Sequence, residues 1–255
     1  MTTVVITGSA GGMGTALRTL LQADGATVIG VDVRDAEVIA DLTTPEGRAH
    51  MTAEVTERSG GTIDGLVAGA GVQPTDAATI IRTNYFGAIA TLESFRPLLA
   101  RGDHPSAVAI SSNSTTTMPG YAASVADVLL AGDEEASVAA IGDDDLGAYP
   151  VSKLALARWV RRHATLPGWV GAGIRLNAIA PGFIDTPMTE GTWDFVSSLG
   201  DVYPIPIGRP GTAQEIAALL AFLLSPAAGF FVGSFITVDG GTEARLRSED
   251  WPSPI

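Results

Sequence analysis

Short apolar runs alternate with longer amphipathic stretches along the whole chain. The short runs predict strands at Val4–Ile6, Ala26–Val31, Leu66–Ala68, Ala107–Ile110, Val170–Ile179 and Phe235–Val238. The longer stretches predict a first helix with Met13, Leu17, Leu20 and Leu21 on one face, then helices over Ala77–Leu99, Val151–Ala164 and Ala213–Leu224. Because strands and helices alternate, the predicted fold class is α/β, a doubly wound parallel sheet with helices on both faces. No repeat or linker divides the sequence, so we expect residues 1–255 to form a single domain.

A glycine-rich stretch, residues 7–14, joins the first predicted strand to the first predicted helix. Gly8 permits a tight turn, Gly12 lets a pyrophosphate approach the backbone, and Gly14 allows close packing of helix on strand. The glycine spacing is wider than the common G-x-G-x-x-G, and a flexible glycine loop is the alternative interpretation. The strand before it and the helix after it favour a dinucleotide site of the Rossmann type.

Asp32 bears on the choice of dinucleotide. It ends the second predicted strand, 18 residues after Gly14. A carboxylate there accepts hydrogen bonds from the ribose hydroxyls of NAD and repels the 2′-phosphate of NADP. We therefore predict NAD as the cofactor. Arg34 lies close enough in sequence to meet a phosphate, and Asp32 as a solvated strand-end carboxylate is the other interpretation.

Tyr149 and Lys153 are four residues apart, which places them on one face of a predicted helix. A lysine cation close to a phenol favours the phenolate and lowers its pKa by roughly 1–3 units. Such a phenol is suited to exchanging a proton with an alcohol or a carbonyl. Taken alone, the pair also fits an ordinary helix surface.

Composition excludes several classes of protein. The 255 residues are 46% hydrophobic and 17% charged, enough to bury a substantial core. The absence of cysteine excludes disulfides and thiolate chemistry, and the three scattered histidines do not suggest a metal site. The net charge of −13 argues against nucleic acid as a partner. Since no basic leader or long apolar segment is present, we expect neither a secretion signal nor a membrane span, and a cytoplasmic location.

Taken in order, these motifs resemble the short-chain dehydrogenase/reductase family over almost the whole chain. The matching segments are residues 7–14, Asp41-Leu42, residues 68–71, Asn84 in residues 83–87, Ser112 in residues 110–112, Tyr149 with Lys153, residues 177–182 with Thr186, and residues 238–241. Residues 68–71 read Ala-Gly-Ala-Gly, where the family usually has Asn-Asn-Ala-Gly.

The resemblance implies roles for individual residues. Tyr149 would be the acid or base, Ser112 would orient the substrate oxygen, Lys153 would hold the nicotinamide ribose, and Asn84 would help to hold a proton-relaying water. Ser111 or Ser114 remains an alternative to Ser112, and Asn84 remains open as a purely structural residue. The cofactor-binding residues implied are Gly8, Gly12, Met13, Gly14, Asp32, Asp41, Leu42, Ala70, Gly71, Tyr149, Lys153, Pro181, Gly182, Ile184 and Thr186.

An acidic insertion, residues 113–148, distinguishes this chain from most of the family. Ser112 and Tyr149 are 37 positions apart, where about a dozen residues are usual. Tyr121 stands near the usual spacing, but Val125 replaces the lysine, so Tyr121 is not the expected base. Alanine with spaced valine and leucine predicts a helix over Ala122–Ile141. The insertion either covers the active site, builds a subunit contact or is a solvated excursion.

A long insertion at this place, with residues 30–42 and 84–88, resembles one branch of the family, the bacterial 3α-hydroxysteroid dehydrogenase/carbonyl reductases. That branch implies a homodimer and a lipophilic alcohol or ketone substrate. The segment Phe183–Ile207, here called the substrate segment, is apolar enough to suit one, although its side chains also fit a core or a dimer contact. Dehydrogenation of a non-steroidal or aromatic alcohol and a non-catalytic NAD-binding sensor remain as alternatives. The tail after Gly241 is expected to be extended.

Overall fold

Seven parallel strands form the main sheet of the computed structural model, which describes residues 2–73 and 75–250. The spatial order is β3-β2-β1-β4-β5-β6-β9, and a second sheet pairs β7 with β8. The strands are β1 Thr3–Thr7, β2 Thr27–Asp32, β3 Val38–Ile39, β4 Gly65–Ala68, β5 Ser106–Ile110, β6 Arg175–Pro181, β7 Ile184–Asp185, β8 Gly211–Thr212 and β9 Phe235–Val238. The order reverses between β1 and β4, which lie side by side with Thr7 opposite Ala68.

Helices cover both faces of the main sheet. They are α1 Gly12–Ala23, α2 Pro45–Arg58, α3 Ala77–Ile81, α4 Ala88–Leu99, α5 Ser114–Thr117, α6 Val125–Ala131, α7 Glu134–Ile141, α8 Asp145–His163, α9 Trp193–Ser198, α10 Ala213–Leu224 and α11 Thr242–Leu246. A π-helical turn, Arg82–Gly87, joins α3 to α4, and 3₁₀ turns occupy Val170–Ala172, Gly200–Val202 and Pro226–Ala228. The predicted α/β fold class is confirmed. Within the described residues, no helix combines the length and the apolarity needed to cross a bilayer.

Each face of the sheet has its own core because successive strand side chains point to opposite sides. Val5 and Leu66 belong to the larger core with α2, α4 and α8. Val4, Ile6 and Val67 belong to the other core with α1 and α10. Strands buried on both faces explain why the sequence shows short continuous apolar runs and not alternation.

Several predicted boundaries were wrong for identifiable reasons. The strand expected from Val170 starts only at Arg175, because a 3₁₀ turn ends at Gly173, whose φ is +80°. Helix α8 begins at Asp145, six residues before its predicted start, since the Asp144 side chain caps it by accepting the Gly147 N–H. Helix α2 was not predicted because its composition is polar. The tail is helical over Thr242–Leu246, and residues 251–255 lie outside the described part of the chain.

The insertion folds into α5, α6, α7 and the first four residues of α8. Gly132, with φ +86°, separates α6 from α7 within the stretch expected to be one helix. Helix α6 packs on α8, and α7 packs on α3 and the π-helical turn. Glu134 at the start of α7 pairs with Arg48 of α2 at 2.6 Å. Arg48 also donates to the carbonyl of Leu42, at 2.7 Å, so the insertion is tied to the loop after β3.

Candidate active site

A cleft of about 590 Å³ opens at the carboxyl ends of β1, β2 and β4. The fold places it where the strand order reverses, which is the usual ligand position in such sheets. Its walls include most of the predicted cofactor residues: Gly8, Gly12, Met13, Gly14, Asp32, Asp41, Leu42, Ala70, Gly71 and Thr186. Among the described residues of the insertion, none lines this cleft.

The glycine turn is built by close backbone approach. Gly8 has φ +76°, and a Cβ there would lie 2.8 Å from the carbonyl oxygen of Gly69. A Cβ at Gly14 would lie 2.2 Å from the Gly8 carbonyl oxygen. Side chains at either position are therefore excluded. The first N–H groups of α1, which no side chain caps, therefore face the cleft. Such a helix N-terminus favours binding of a diphosphate.

Asp32 is held in place by backbone donors at the end of β2. Its Oδ2 accepts the N–H of Ala10 at 3.0 Å, and its Oδ1 accepts the N–H of Val33 at 2.8 Å. These contacts fix the carboxylate at the rim of the cleft, between the glycine turn and Arg34. Asp41, on the adjoining loop, accepts the N–H of Thr43 at 2.9 Å.

Lys153 and Tyr149, on α8, are not among the residues that line the cleft, but the Lys153 side chain lies next to Gly71, which is. The Lys153 Nζ donates to the carbonyl of Ile110 at 2.9 Å and lies 3.3 Å from where a Cβ on Gly71 would stand. Burial lowers the pKa of Lys153 to about 8. Ile110 is the acceptor that the described residues provide for this ammonium. The Lys153 Nζ makes no second hydrogen bond within the described residues.

Tyr149 lies on α8 one turn before Lys153. Burial raises the pKa of Tyr149, and a hydrogen bond with Ser112 partly opposes that rise. The expectation that Lys153 lowers the pKa of Tyr149 is wrong for this arrangement. The ammonium donates to the Ile110 carbonyl and lies 5.7 Å from the centre of the tyrosine ring, and it is not among the causes of the pKa shift of Tyr149.

The hydrogen-bond partners of Ser111, Ser112 and Ser114 distinguish the three candidates for the serine role. Ser112 lies close enough to Tyr149 to oppose the rise in the pKa of the phenol, and its Oγ accepts the N–H of Ser114 at 3.1 Å. Ser111 donates to the carbonyl of Lys153 at 2.9 Å and is therefore committed to joining β5 to α8. The Ser114 hydroxyl is buried and has no partner among the described residues. Of the three serines, Ser112 is the one whose side chain acts on the pKa of Tyr149.

Asn84 sits in the π-helical turn and binds the backbone of Val72. Its Oδ1 accepts the Val72 N–H at 2.8 Å, and its Nδ2 donates to the Val72 carbonyl at 3.1 Å. Its Oδ1 also lies 3.2 Å from the position of a Cβ on Gly71. Gly71 therefore leaves a gap between Asn84 and Lys153. The amide fixes the loop after β4, while the water role stays a prediction.

Of the predicted cofactor residues between Pro181 and Thr186, only Thr186 lines the cleft. Thr186 lines the cleft, and its Cγ2 lies 2.9 Å from the position of a Cβ on Gly12. Pro181, Gly182 and Ile184 are not among the residues that line the cleft. Pro181 and Ile184 are buried, and Gly182 packs against Asp239, where a Cβ would lie 2.6 Å from Asp239 Cβ. Of these three, Ile184 is connected to Thr186 through the Thr189 hydroxyl, which donates to the Ile184 carbonyl and accepts the Thr186 N–H.

Two features of the site were not predicted from the sequence. Thr83 lines the cleft with a buried hydroxyl that lacks a partner among the described residues. Tyr203, from the end of the substrate segment, reaches Asn113, which follows Ser112 directly. Thr83 adjoins Asn84, and that position was the available signal for it. Nothing in the sequence spacing connects residues 113 and 203.

The site fits a nicotinamide dinucleotide on its own geometry. The cleft volume lies within the range of cofactor pockets, roughly 300–1,000 Å³. The uncapped N-terminus of α1 faces one part of the cleft, and the Asp32 carboxylate stands at its rim. The Lys153 ammonium lies behind Gly71 of the cleft wall, one helical turn from Tyr149. When bound, the cofactor supplies hydride transfer, and the protein supplies position and proton exchange.

Comparisons with known proteins agree over nearly the whole chain. The short chain dehydrogenase model matches residues 2–128, and the enoyl-(acyl carrier protein) reductase model matches residues 135–243. The 3-alpha-hydroxysteroid dehydrogenase/carbonyl reductase of Comamonas testosteroni is 40% identical over 256 residues, covering 97% of this chain and 98% of its own. Coniferyl-alcohol dehydrogenase of Pseudomonas sp. (strain HR199 / DSM 7063) is 32% identical over 261 residues, covering 93% and 95%.

A solved structure shows the same likeness. The 3-alpha-hydroxysteroid dehydrogenase from Pseudomonas sp. B-0831, complexed with NADH, has a TM-score of 0.87 at 39% identity, with 97% of this chain and 99% of that chain covered. Sheet order, glycine turn and tyrosine–lysine pair agree with this near full-length similarity, and the chain belongs to the short-chain dehydrogenase/reductase family.

Proposed function

We propose that this protein is an NAD-dependent oxidoreductase that interconverts a secondary alcohol and a ketone, acting on a lipophilic cyclic substrate such as a 3α-hydroxysteroid. The observation that carries the proposal is the grouping of Tyr149 and Lys153 on α8, with the Lys153 Nζ 5.7 Å from the centre of the tyrosine ring and beside Gly71 of the cleft wall. Tyr149 exchanges the proton of the substrate oxygen, and Ser112 orients that oxygen. Lys153 binds the ribose of the cofactor.

The substrate class rests on exposed apolar side chains of the substrate segment, whose Tyr203 hydrogen-bonds to Asn113 next to Ser112. Phe195 and Val202 of the substrate segment are each 67% exposed, and Met188 is 48% exposed. Exposed apolar groups grouped near a catalytic centre mark a binding surface for a lipophilic molecule. Hydroxysteroid dehydrogenation by the relatives with 40% and 39% identity supports the steroid. An aromatic alcohol is the second candidate, supported by the coniferyl-alcohol dehydrogenase relative.

The test is NADH formation by the purified protein with a 3α-hydroxysteroid, beside NADP and a panel of secondary and aromatic alcohols. We expect turnover of the steroid with NAD. Activity confined to another alcohol would keep the oxidoreductase and replace the substrate. Binding of NADH without turnover of any alcohol or ketone would instead support the non-catalytic sensor.

The preference for NAD is carried by Asp32 and is testable by removing its charge. Asp32→Asn keeps an oxygen for the Ala10 N–H. Because hydrogen bonds to a charged group are worth about 1.5–3 kcal/mol, we expect kcat/KM with NAD to fall about 10- to 100-fold. Activity with NADP should rise. Asp35→Asn is the matched control, since Asp35 is exposed and lies outside the cleft lining. An unchanged NAD-to-NADP ratio in Asp32→Asn would contradict this assignment.

We propose a homodimer that forms through the β9 edge and α10. Strand β9 is at the edge of the main sheet and is only partly buried. The neighbouring Phe222 and Phe231 are exposed at 41% and 36%, and Phe230 is fully exposed. At the other side of the fold, the insertion already covers α3 and α8. We therefore assign the apolar face formed by the β9 edge and α10 to a second copy of the chain.

Light scattering should give a mass of about twice 26.2 kDa. Phe222→Asp places a charge in this face and should shift the mass toward the monomer. Phe195→Asp is the control on a different exposed surface and should leave the mass unchanged. A monomeric wild type, or a dimer indifferent to Phe222→Asp, would rule out this interface.

A further inference from the structure

Tyr203 joins the end of the substrate segment to the strand that carries Ser112. Its hydroxyl lies 3.0 Å from Nδ2 and 3.2 Å from Oδ1 of Asn113. Asn113 follows Ser112 directly, at the carboxyl end of β5. A residue 90 positions further along the chain is thereby held beside the reacting groups.

The side chain of Asn113, which hydrogen-bonds to this hydroxyl, is itself held in a fixed orientation. It is 3% exposed, and its N–H donates to the carbonyl of Pro181 at 2.9 Å. Its Nδ2 also donates to Asp239 Oδ2 at 3.1 Å. Asp239 is fixed in turn by the N–H groups of Gly241 and Glu243, at 3.0 and 2.8 Å. The amide cannot rotate without breaking this set of contacts.

The electrostatic surroundings keep the Tyr203 phenol neutral. Burial raises the pKa of Tyr203, the hydrogen bond with Asn113 opposes the rise, and the negative charges of Asp239 and of ionised Tyr149 add to it. Tyr203 is therefore within electrostatic reach of the catalytic tyrosine. It stays an O–H donor over the working pH range.

The rest of the segment is held by few buried contacts. Neither α9 nor the 3₁₀ turn Gly200–Val202 contains a buried residue. Near the segment's start, Phe183 stacks loosely on Trp193, with ring centres 5.6 Å apart, and Thr189 bonds to the backbone around Thr186. Near the other end, Tyr203 supplies a side-chain attachment to Asn113, and the Ile207 N–H donates to the Gly240 carbonyl at 3.2 Å. Loss of the Tyr203 hydrogen bonds would loosen the apolar residues that precede it from the strand end that carries Ser112.

We propose that Tyr203 is a positioning residue for substrate: through Asn113 it fixes the substrate segment beside Ser112 and Tyr149 and so sets the affinity for the lipophilic alcohol or ketone. This inference rests on the proposed function for the identity of the ligand. The attachment itself is a property of the segment and can be measured without turnover.

The experiment compares Tyr203→Phe with the wild type and with Tyr121→Phe. Tyr121 also donates one phenolic hydrogen bond, to the carbonyl of Thr115 at 2.7 Å, and does not touch the segment. For Tyr203→Phe we expect KM for the best substrate of the panel to rise about tenfold, the value of one hydrogen bond. We expect kcat to stay within about twofold and the Kd of NADH to be unchanged.

Chymotrypsin provides the second readout. It cleaves after accessible aromatic residues, here exposed Phe195 and partly exposed Trp193, whereas position 203 precedes Pro204 and stays uncut in either form. Cleavage within the segment should be about tenfold faster in Tyr203→Phe because local opening becomes easier. The thermal midpoint should match that of Tyr121→Phe.

The outcomes separate this inference from the proposed function. An active enzyme in which Tyr203→Phe leaves KM unchanged overturns the inference, as does a cleavage rate equal to that of the wild type. If no alcohol or ketone is turned over by the wild type, the proposed function fails, and the cleavage rate alone then decides whether Tyr203 holds the segment.

Discussion

Replacing Tyr149 by phenylalanine will lower kcat by about a thousandfold, within the range that positioned acid–base groups contribute. The change removes one oxygen and keeps the ring that packs beside Lys153. Binding of NADH, followed by its fluorescence, should remain within about twofold of the wild type because the cleft walls are untouched. Steady-state kinetics in both directions measure the loss.

Tyr121→Phe is the control for this variant. It removes a phenol from the same part of the chain, at the place where the sequence alone suggests a competing base, and should leave kcat unchanged. Retention of more than about a tenth of the activity in Tyr149→Phe would assign the proton to another group.

The pH dependence follows from the same tyrosine. Burial raises the pKa of Tyr149, so its protonated form predominates at neutral pH. Carbonyl reduction uses the protonated phenol, and its rate should fall as the pH rises through this pKa. Alcohol oxidation uses the phenolate and should accelerate over the same alkaline range.

Replacing Arg175 by methionine will destabilise the fold by about 3 kcal/mol, because buried carbonyls lose their donor. Arg175 is 8% exposed at the start of β6, and burial lowers its pKa. Its guanidinium donates to the carbonyls at the end of α10 and just beyond it, namely those of Leu223, Leu224, Ser225 and Ala228. The cation also complements the negative end of the α10 dipole.

Thermal unfolding of the variant should show a midpoint lower by about 6–12 °C for a chain of this size. Arg161→Met is the matched control, since exposed Arg161 donates one weak bond, to Gly233 at 3.5 Å. That control should change stability by less than about 0.5 kcal/mol. Equal midpoints for the two variants would show that the carbonyls find other donors when Arg175 is lost.

The sequence predicts the parts of this protein that depend on local pattern. Doubly buried strands such as Leu66–Ala68, and the glycine turn with Gly8 and Gly14, follow from apolar runs and from steric needs within a few residues. Tyr149 and Lys153 are also close in sequence, so their shared helix face could be predicted. Their electrostatic relation could not, because the direction of the Lys153 side chain depends on the distant Ile110 carbonyl.

The remaining features depend on contacts between distant parts of the chain. The Tyr203–Asn113 pair spans 90 positions, and Arg175 caps a helix 48 positions away. Such contacts cannot be predicted from the residue types or from their spacing in the sequence. The insertion follows the same rule, since its place is set by Glu134 meeting Arg48, 86 positions earlier.

The π-helical turn at Arg82–Gly87 joins α3 and α4 into one continuous helix, but it rotates the side-chain faces of α4 relative to those of α3. A single additional residue in a helix rotates everything beyond it by about 100°. Helix α3 packs on α8 and α7, whereas α4 packs on β4 and α2. The number of residues in this turn therefore matters as much as their identity. With one residue fewer, a regular helix would let either Asn84 face Val72 or Phe95 face the sheet, and not both.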